Sequence, residues 1–521
     1  MNEGYYYNLG LKFDFIARKQ PSAIALRFQD GEEWSYGRCN ELSSRCAHFL
    51  LDLGVLESDV VAIVSDKHPM AFVVMLAALK IGVAYVNLDA ESPLERLGKI
   101  LDKTGSRFVF FEDLTEEVGS SLEKNNSIRG INLDDDVFAS LLEGYSSDIP
   151  KVTSTITGSA PAYVMFTSGS TGIPKGALIP HNALINFSSW ARAAIGYDET
   201  AVFTNVNPLH FDNSVFDFYA SLFQGATLVP FRSKLLRHPL KLISAVEKAN
   251  CTVWFSVPSL LVYLMRMRSI NSSSLQNLQT LVFGGEGFQK NPLRKIYELL
   301  GDRVELLNVY GPTECTCICS MYRVSELDMK TDDLLPLGTI AENFSFLILD
   351  ESDNLTPDGQ IGELVLRGPN VGMGYLNDKQ RTADNFQPVP TLPGYKEQCY
   401  RTGDLVRFDR ASGLLYFCGR QDNQVKRMGY RIELEEVESA IGSIPGINEC
   451  VCIFERAMSA DVGQIIAYFV GDQFEVEAIR SILSTKIPKY MMPNDFVQLD
   501  ILPKNRNGKI DRLALSEGRL Q

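Results

Sequence analysis

Hydrophobic and polar positions alternate with two distinct periods over the first hundred residues. A helical spacing runs over 38–53, introduced by Trp34-Ser35-Tyr36, and another over 70–81. Between and after them, the short apolar runs at 60–64 and 84–88 read as buried strands. This strand–helix–strand rhythm predicts a parallel sheet covered by helices. The stretch 112–158 is polar and irregular and reads as variable surface. The rhythm then resumes, with strands expected at 163–166, 226–230, 252–257, 280–283 and 304–309 and helices between them.

Near residue 335 the pattern changes. Runs at 344–350 and 362–367, linked through an Asp358-Gly359 turn, predict antiparallel pairing. A second change follows Gly419-Arg420-Gln421-Asp422, where a Glu-rich helix (434–441), a strand (449–454) and a helix starting near Val476 are expected. A domain boundary is therefore placed at 420–424. No internal repeat is visible.

Length supports that division, because 521 residues exceed what one core organises. With 45% hydrophobic and 22% charged residues, the composition is that of a soluble globular chain. No apolar run approaches the roughly 20 residues of a spanning helix, and the N-terminus lacks a basic-then-apolar secretory pattern. Ten cysteines without a framework point to reduced thiols and a cytoplasmic setting. The net charge of −14 argues against nucleic acid as a partner, and no membrane contact is expected. Cys315, Cys317 and Cys319 alternate, which on a strand would place them on one face. Their C-x-C spacing departs from a zinc knuckle, so buried small apolar roles are favoured.

Candidate chemistry concentrates in AYVMFTSGSTGIPKG (162–176), where an apolar strand breaks into small and hydroxylated residues followed by Lys175. Glycines let backbone N–H groups close on an anion, hydroxyls add donors and the lysine adds charge. The stretch is not a Walker A loop, since Pro174 and Gly176 stand where that motif needs Gly and Ser/Thr. Composition alone leaves a phosphate cradle and a flexible connector both open.

The loop has company. In order follow NPLHFDNSVFD (207–217), LVFGGEG (281–287), NVYGPTE (308–314), GELVLRG (362–368), YRTGDL (400–405), GRQDNQVKRMGYRIELEEVE (419–438) and NRNGKIDR (505–512). This ordered set resembles the adenylate-forming superfamily. LKIGVAYVNLD (79–89) and FDNSV point to the amino-acid-activating adenylation domains of nonribosomal peptide synthetases and their free-standing relatives. The resemblance implies an α/β fold: a large N-terminal domain (1–420) with two doubly wound, mostly parallel sheets and a small distorted β-barrel subdomain at about 335–420. A small mobile α+β C-terminal domain (421–521) would follow. It further implies a two-step reaction. A carboxylate attacks the α-phosphate of ATP, giving an acyl-adenylate and pyrophosphate, and a carrier protein's phosphopantetheine thiol then takes the acyl group. ATP and Mg²⁺ are the implied cofactors.

Residue by residue, the resemblance assigns Thr167, Ser168, Gly169, Thr171 and Lys175 to the β/γ-phosphates. Thr313 is assigned to the α-phosphate, Glu314 to Mg²⁺ and Asp404 to the ribose hydroxyls. Gly285, Glu286 and Tyr310 would line the adenine slot. By local sequence alone a solvated loop acid is the favoured reading of Glu314, Asp404 reads also as a turn residue and Tyr310 as a core aromatic. Lys509, after the tight-turn pair Asn507-Gly508, matches the catalytic lysine that bridges the substrate carboxylate and α-phosphate. Arg420 matches a ribose contact, Asp422 the hinge, and Gly429 a position where pantetheine passes the backbone. Met428 departs from the polar or basic residue usual in that segment.

Asp212 matches the carboxylate that holds an α-ammonium, although an N-cap aspartate fits the local sequence as well. Asn213, Phe216, Phe255, Val282, Gly284, Val309, Cys317 and Ile318 would line the side-chain pocket. None is charged. Gly284 is expected to leave depth and Phe216 with Phe255 to limit width, which favours a branched aliphatic amino acid such as isoleucine, leucine or valine. Asn213 is the polar exception and suits a displaced amine, as in a β-amino acid. No G-G-x-S carrier motif precedes Gln521, so the carrier is expected to act in trans. Rival readings are a D-alanine–carrier protein ligase for teichoic acids, which shares SV-x-D-x-Y-x-SL (214–222), and an acyl- or aryl-CoA ligase, against which Asp212 argues.

Overall fold

The computed structural model describes residues 6–112, 128–134, 136–169, 173–342, 344–392, 395–455, 463–504 and 510–517. The chain divides into two compact units. One comprises residues 1–90, 103–165 and 176–419; the other comprises 91–102, 166–175 and 420–521.

Two large sheets dominate. The first has nine strands, six of them parallel neighbours in the order Glu305–Tyr310, Thr280–Gly284, Val253–Ser256, Val202–Asn205, Thr227–Pro230 and Ile24–Arg27. Antiparallel strands close both edges: Ser320–Arg323 and Thr339–Ile340 on one side, Glu33–Ser35 on the other. The second sheet has seven strands, with Ala84–Leu88, Val60–Val64, Phe108–Phe111 and Arg129–Asn132 running parallel in that order. The strands expected from continuous apolar runs are present within a residue or two of their predicted ends.

The helix Pro69–Ile81 is apolar on every side and buried along its length, as a helix enclosed within a core must be. Its one charged residue, Lys80, is also buried; its ammonium donates to the Asn40 carbonyl, to Asn40 Oδ1 at 2.7 Å and to Ser44 Oγ at 2.9 Å. Gly82 stops the helix in the left-handed region at φ 71°, donating its N–H to Ala78.

The described residues within 112–158 hold more regular structure than the polarity of the stretch suggests. They contain the strand Arg129–Asn132, the helix Asp136–Glu143 and a 3₁₀ turn at Lys151–Thr155. The strand escapes a hydrophobic-pattern reading because it is an edge strand with mostly exposed side chains.

Ser345–Leu349 and Ile361–Arg367 pair antiparallel as expected, within a five-stranded sheet completed by Pro388–Leu392, Tyr395–Asp409 and Leu414–Arg420. Asp358-Gly359 ends an eleven-residue connection (350–360) rather than forming the hairpin turn alone, with Gly359 at φ 76°.

The cysteine triplet does not share a strand. Thr313–Cys315 is a 3₁₀ turn, Thr316 and Cys317 both take positive φ (60° and 71°), and the strand begins only at Ser320. All three thiols are nevertheless buried.

The second unit is α+β. A hairpin, Gln424–Arg427 with Tyr430–Glu433, turns through Met428 (φ 53°) and Gly429 (φ 79°). The helices Leu434–Gly442 and Val476–Ser484 accompany the three strands Ile447–Glu455, Gln464–Gly471 and Asp495–Gln498. Ile432, Val437, Ile441, Ile465, Phe469, Ile479 and Leu483 form their shared core. Among the described residues, no helix is long and apolar enough to cross a membrane.

Candidate active site

In a parallel sheet, ligands bind beyond the carboxyl ends of the strands. In the nine-stranded sheet those ends carry Asn205, Ser256, Gly284 and Tyr310, and the segments leaving them bring most of the expected residues of the first unit together.

Asp212 begins the short helix Asn213–Val215 but makes no side-chain cap bond. Its carboxylate instead accepts the Thr313 hydroxyl at 2.5 Å, across 101 positions of sequence. This contact sets aside the N-cap reading. Thr313 and Glu314 lie on the 3₁₀ turn that follows Gly311-Pro312. A side chain at Gly311 would meet the Cys317 carbonyl oxygen at 2.2 Å, so glycine permits the close packing of this turn against the left-handed Thr316–Cys317 corner.

Glu314 is fully buried, not solvated. Tyr375 donates its hydroxyl to Glu314 Oε1 at 2.7 Å, and the Glu314 carbonyl accepts the Gly372 N–H at 2.8 Å. A buried carboxylate beside the Thr313 hydroxyl is a set of hard oxygen donors, which fits Mg²⁺.

Asp404 is held by a β-bulge. The pairing of Ile361–Arg367 with Tyr395–Asp409 slips between Glu363 and Val365, and Gly403 takes φ 69° there. Glu363 fixes the bulge by accepting the Gly403 N–H and the Arg401 guanidinium. Asp404 is thereby buried, and its Oδ2 accepts the Tyr310 hydroxyl at 2.5 Å. Tyr310 is therefore not a plain core aromatic. Glu286 accepts the Ser259 N–H at the start of the helix Pro258–Arg266, and Gly285 takes φ 87° beside the Asn213 amide.

The expected side-chain pocket is a set of buried walls. Phe216, Phe255, Val282, Val309, Cys317 and Ile318 are all enclosed, and Asn213 is buried among them. Phe216 and Phe255 meet edge to face with centroids 5.2 Å apart. Burial raises the Cys317 thiol pKa well above its ordinary value, and the carboxylates of Asp212 and Asp217 raise it further. One expectation is corrected. Gly284 does not leave depth, because a Cβ there would lie 2.4 Å from the Val309 carbonyl oxygen; the neighbouring strand already fills that space.

Sequence reasoning missed several neighbours. Tyr375, which holds Glu314, lies in no recognised motif. The Tyr163 hydroxyl is buried with no hydrogen-bond partner among the described residues, within electrostatic reach of Cys317 and Asp212. Asn205, Asn207 and Asp217 form a buried polar trio, whose signal was the density of amide and carboxylate residues in the otherwise apolar segment 203–218.

In the second unit, the loop donors each face an anionic or carbonyl oxygen. Ser168 donates to the Arg431 carbonyl at 2.8 Å and accepts the Glu433 N–H. The Gly169 N–H reaches Glu436 Oε2 at 3.0 Å, and Lys175 Nζ reaches Glu433 Oε1 at 3.2 Å. The described donors of the loop thus pair with two carboxylates and a carbonyl oxygen of the same unit. Thr167 is half-buried at the end of its strand. Arg420 and Asp422 form a two-pronged pair at 2.6 Å; burial opposes ionisation of Asp422, but the guanidinium outweighs it and lowers the carboxyl pKa. Thr171 and Lys509 lie outside the described residues.

The profile of the family described as AMP-binding enzyme matches residues 13–376, and that of its C-terminal domain matches 436–509. Bacitracin synthase 1 of Bacillus licheniformis is 33% identical over 507 residues, covering 97% of this chain but 9% of the synthase. The chain thus spans about a tenth of the length of that curated relative. The D-alanine–D-alanyl carrier protein ligase of Bacillus anthracis is 29% identical, over 96% of this chain and 97% of the ligase. An artificially fused adenylation–PCP di-domain NRPS, NpsA-ThdA from Klebsiella oxytoca, shares the fold with a TM-score of 0.80 at 23% identity, covering 94% of both chains. Profiles covering the greater part of both units show that this chain belongs to the AMP-binding enzymes of the adenylate-forming superfamily.

Proposed function

We propose that the chain uses ATP to convert an uncharged aliphatic amino acid into an aminoacyl-adenylate and passes the aminoacyl group to the phosphopantetheine thiol of a carrier protein. The observation that carries this reading is the hydrogen bond between Asp212 and Thr313. It joins an ammonium-binding carboxylate to the turn bearing Glu314, so one end of a zwitterion is anchored while its carboxylate faces the phosphate-handling residues.

On this reading Thr313, Glu314, Tyr310, Asp404, Gly285 and Glu286 serve the nucleotide in the first unit. Thr167, Ser168, Gly169, Thr171, Lys175, Arg420 and Lys509 take the nucleotide-handling roles the family resemblance gives them, with Asp422 as the hinge and Gly429 as the passage for pantetheine. Glu314 would hold Mg²⁺, which neutralises phosphate charge when bound. Tyr310 orients the ribose-binding Asp404, so Tyr310→Phe should raise the KM for ATP by about three- to tenfold with little change in kcat, because Asp404 keeps its charge and loses only the hydrogen bond that orients it.

The pocket walls carry no charge to pair an acidic or basic side chain, which supports an isoleucine-, leucine- or valine-like substrate. A second reading, D-alanine, is favoured by the Phe216–Phe255 contact, which narrows the pocket, and by the space beside Gly284 already taken by Val309, which shortens it. ATP–pyrophosphate exchange across the proteinogenic amino acids, D-alanine and several β-amino acids separates these readings. Branched aliphatic amino acids should exchange fastest. Strong exchange with D-alanine alone would replace the first reading by the second, and exchange with no amino acid would refute both.

A further inference from the structure

Behind the amino-acid pocket lies a buried polar network that the nucleotide chemistry does not use. Asp217 follows the wall residue Phe216 on the π-helical turn Phe216–Ala220 and is fully buried. Its Oδ2 accepts the Asn205 amide at 2.9 Å and the Asn207 amide at 3.0 Å. The same Asn207 amide also donates to the backbone carbonyl of Phe255 at 2.9 Å, and Asn205 braces the Asn207 carbonyl at 3.1 Å. Asp217 and Asn207 thus connect the two segments that carry Phe216 and Phe255. A single π-helical turn is also an unusual geometry that tends to occur at functional positions.

We propose that Asp217 is a positioning residue that sets the width of the amino-acid pocket by holding Phe216 and Phe255 at a fixed separation through Asn207. The proposal rests on the reading of these rings as pocket walls. It gives a buried acid, within electrostatic reach of the buried Lys67, a role beyond charge balance: two amide donors converge on one of its oxygens, and that oxygen positions both aromatic walls. Burial pushes the Asp217 pKa up to about 7 against the pull of the two amides, and both protonation states keep Oδ2 as an acceptor. Specificity follows from geometry. One methylene in a tight pocket changes selectivity by about 10- to 200-fold, provided the walls do not yield.

Asp217→Ala removes the common acceptor. Asp217→Asn keeps an acceptor oxygen for both amides and places its own amide where Oδ1 has no partner among the described residues. Crystal structures of the free wild-type protein and of both variants measure the ring separation directly. Exchange kinetics with the preferred amino acid and with its homologue one methylene larger measure the consequence. In Asp217→Ala the ring centroids should move from 5.2 Å to beyond about 7 Å, outside edge-to-face contact, or the rings should adopt a second rotamer. Selectivity against the larger homologue should fall at least about fivefold, through KM for the amino acid and not KM for ATP. Asp217→Asn should restore both. If Asp217→Ala does not fold, Asn207→Ser replaces it, since it removes the amide shared by Asp217 and Phe255. Unchanged ring spacing and unchanged selectivity in the folded variant would overturn the proposal, as would Asp217→Asn behaving like Asp217→Ala. A wild-type protein inactive with every amino acid would instead refute the functional reading, while the ring spacing still decides this one.

Discussion

Replacing Lys509 by alanine should lower adenylate formation by at least about a hundredfold, while thioester transfer from preformed adenylate stays nearly intact. When the substrate carboxylate attacks the α-phosphate, two anionic groups converge and negative charge builds on the phosphoryl oxygens. A lysine that bridges both contributes most in that transition state and little once the adenylate exists. Removing one such preorganised donor costs on the order of 2.7–4 kcal/mol, which is where the hundredfold figure comes from. Rapid-quench measurement of adenylate formation and single-turnover transfer from chemically prepared adenylate separate the steps. Equal losses in both would show that Lys509 acts on folding or docking and not on the first reaction.

The second large effect is expected at Asp212. Here the affected quantity is amino-acid affinity, not nucleotide affinity. In the complex its carboxylate would face an ammonium removed from water, and breaking one side of a buried charge pair costs about 3–5 kcal/mol. Asp212→Ala should therefore raise the KM for the amino acid in exchange by at least about a hundredfold. ATP binding, followed by calorimetry, should change less than about threefold. Asp212→Asn refines the test because it retains an acceptor for the Thr313 hydroxyl. It should recover the rate at saturating amino acid without recovering affinity. Equal weakening of ATP binding and amino-acid binding would contradict the assignment.

Much of this architecture was legible in the sequence because the informative elements are fully buried. Strands such as Val60–Val64 and Thr280–Gly284, covered on both faces, appear as unbroken apolar runs. Arg129–Asn132 was invisible for the opposite reason: its side chains are mostly exposed, and its strand geometry comes from pairing with Phe108–Phe111. The run at Gln464–Gly471 gives no decisive period, since a short apolar stretch suits a buried helix as well as a strand.

At the candidate site, residue types were easier to read than their surroundings. The acids Asp212, Glu314 and Asp404 could be singled out by motif, but their partners Thr313, Tyr375 and Tyr310 come from up to about a hundred positions away, or from outside any motif. Gly284 shows the limit most clearly. A sequence reports that a side chain is missing, but not that the Val309 backbone of the next strand has taken its place. The Cys315–Cys319 alternation failed similarly, because no glycine at 316 or 317 signals a left-handed corner. The nearest sign was Gly311, whose missing side chain makes room for that corner.

The central claim is that an amino acid is anchored by its cationic end at Asp212 while its carboxylate meets the nucleotide beside Thr313 and Glu314. A crystal structure with a non-hydrolysable aminoacyl-adenylate analogue of the best exchange substrate tests it most directly. The account predicts the ligand's ammonium within about 3 Å of the Asp212 carboxylate, with Thr313 donating toward the phosphate-mimicking group. An ammonium held elsewhere, with Asp212 turned toward bulk water, would contradict it.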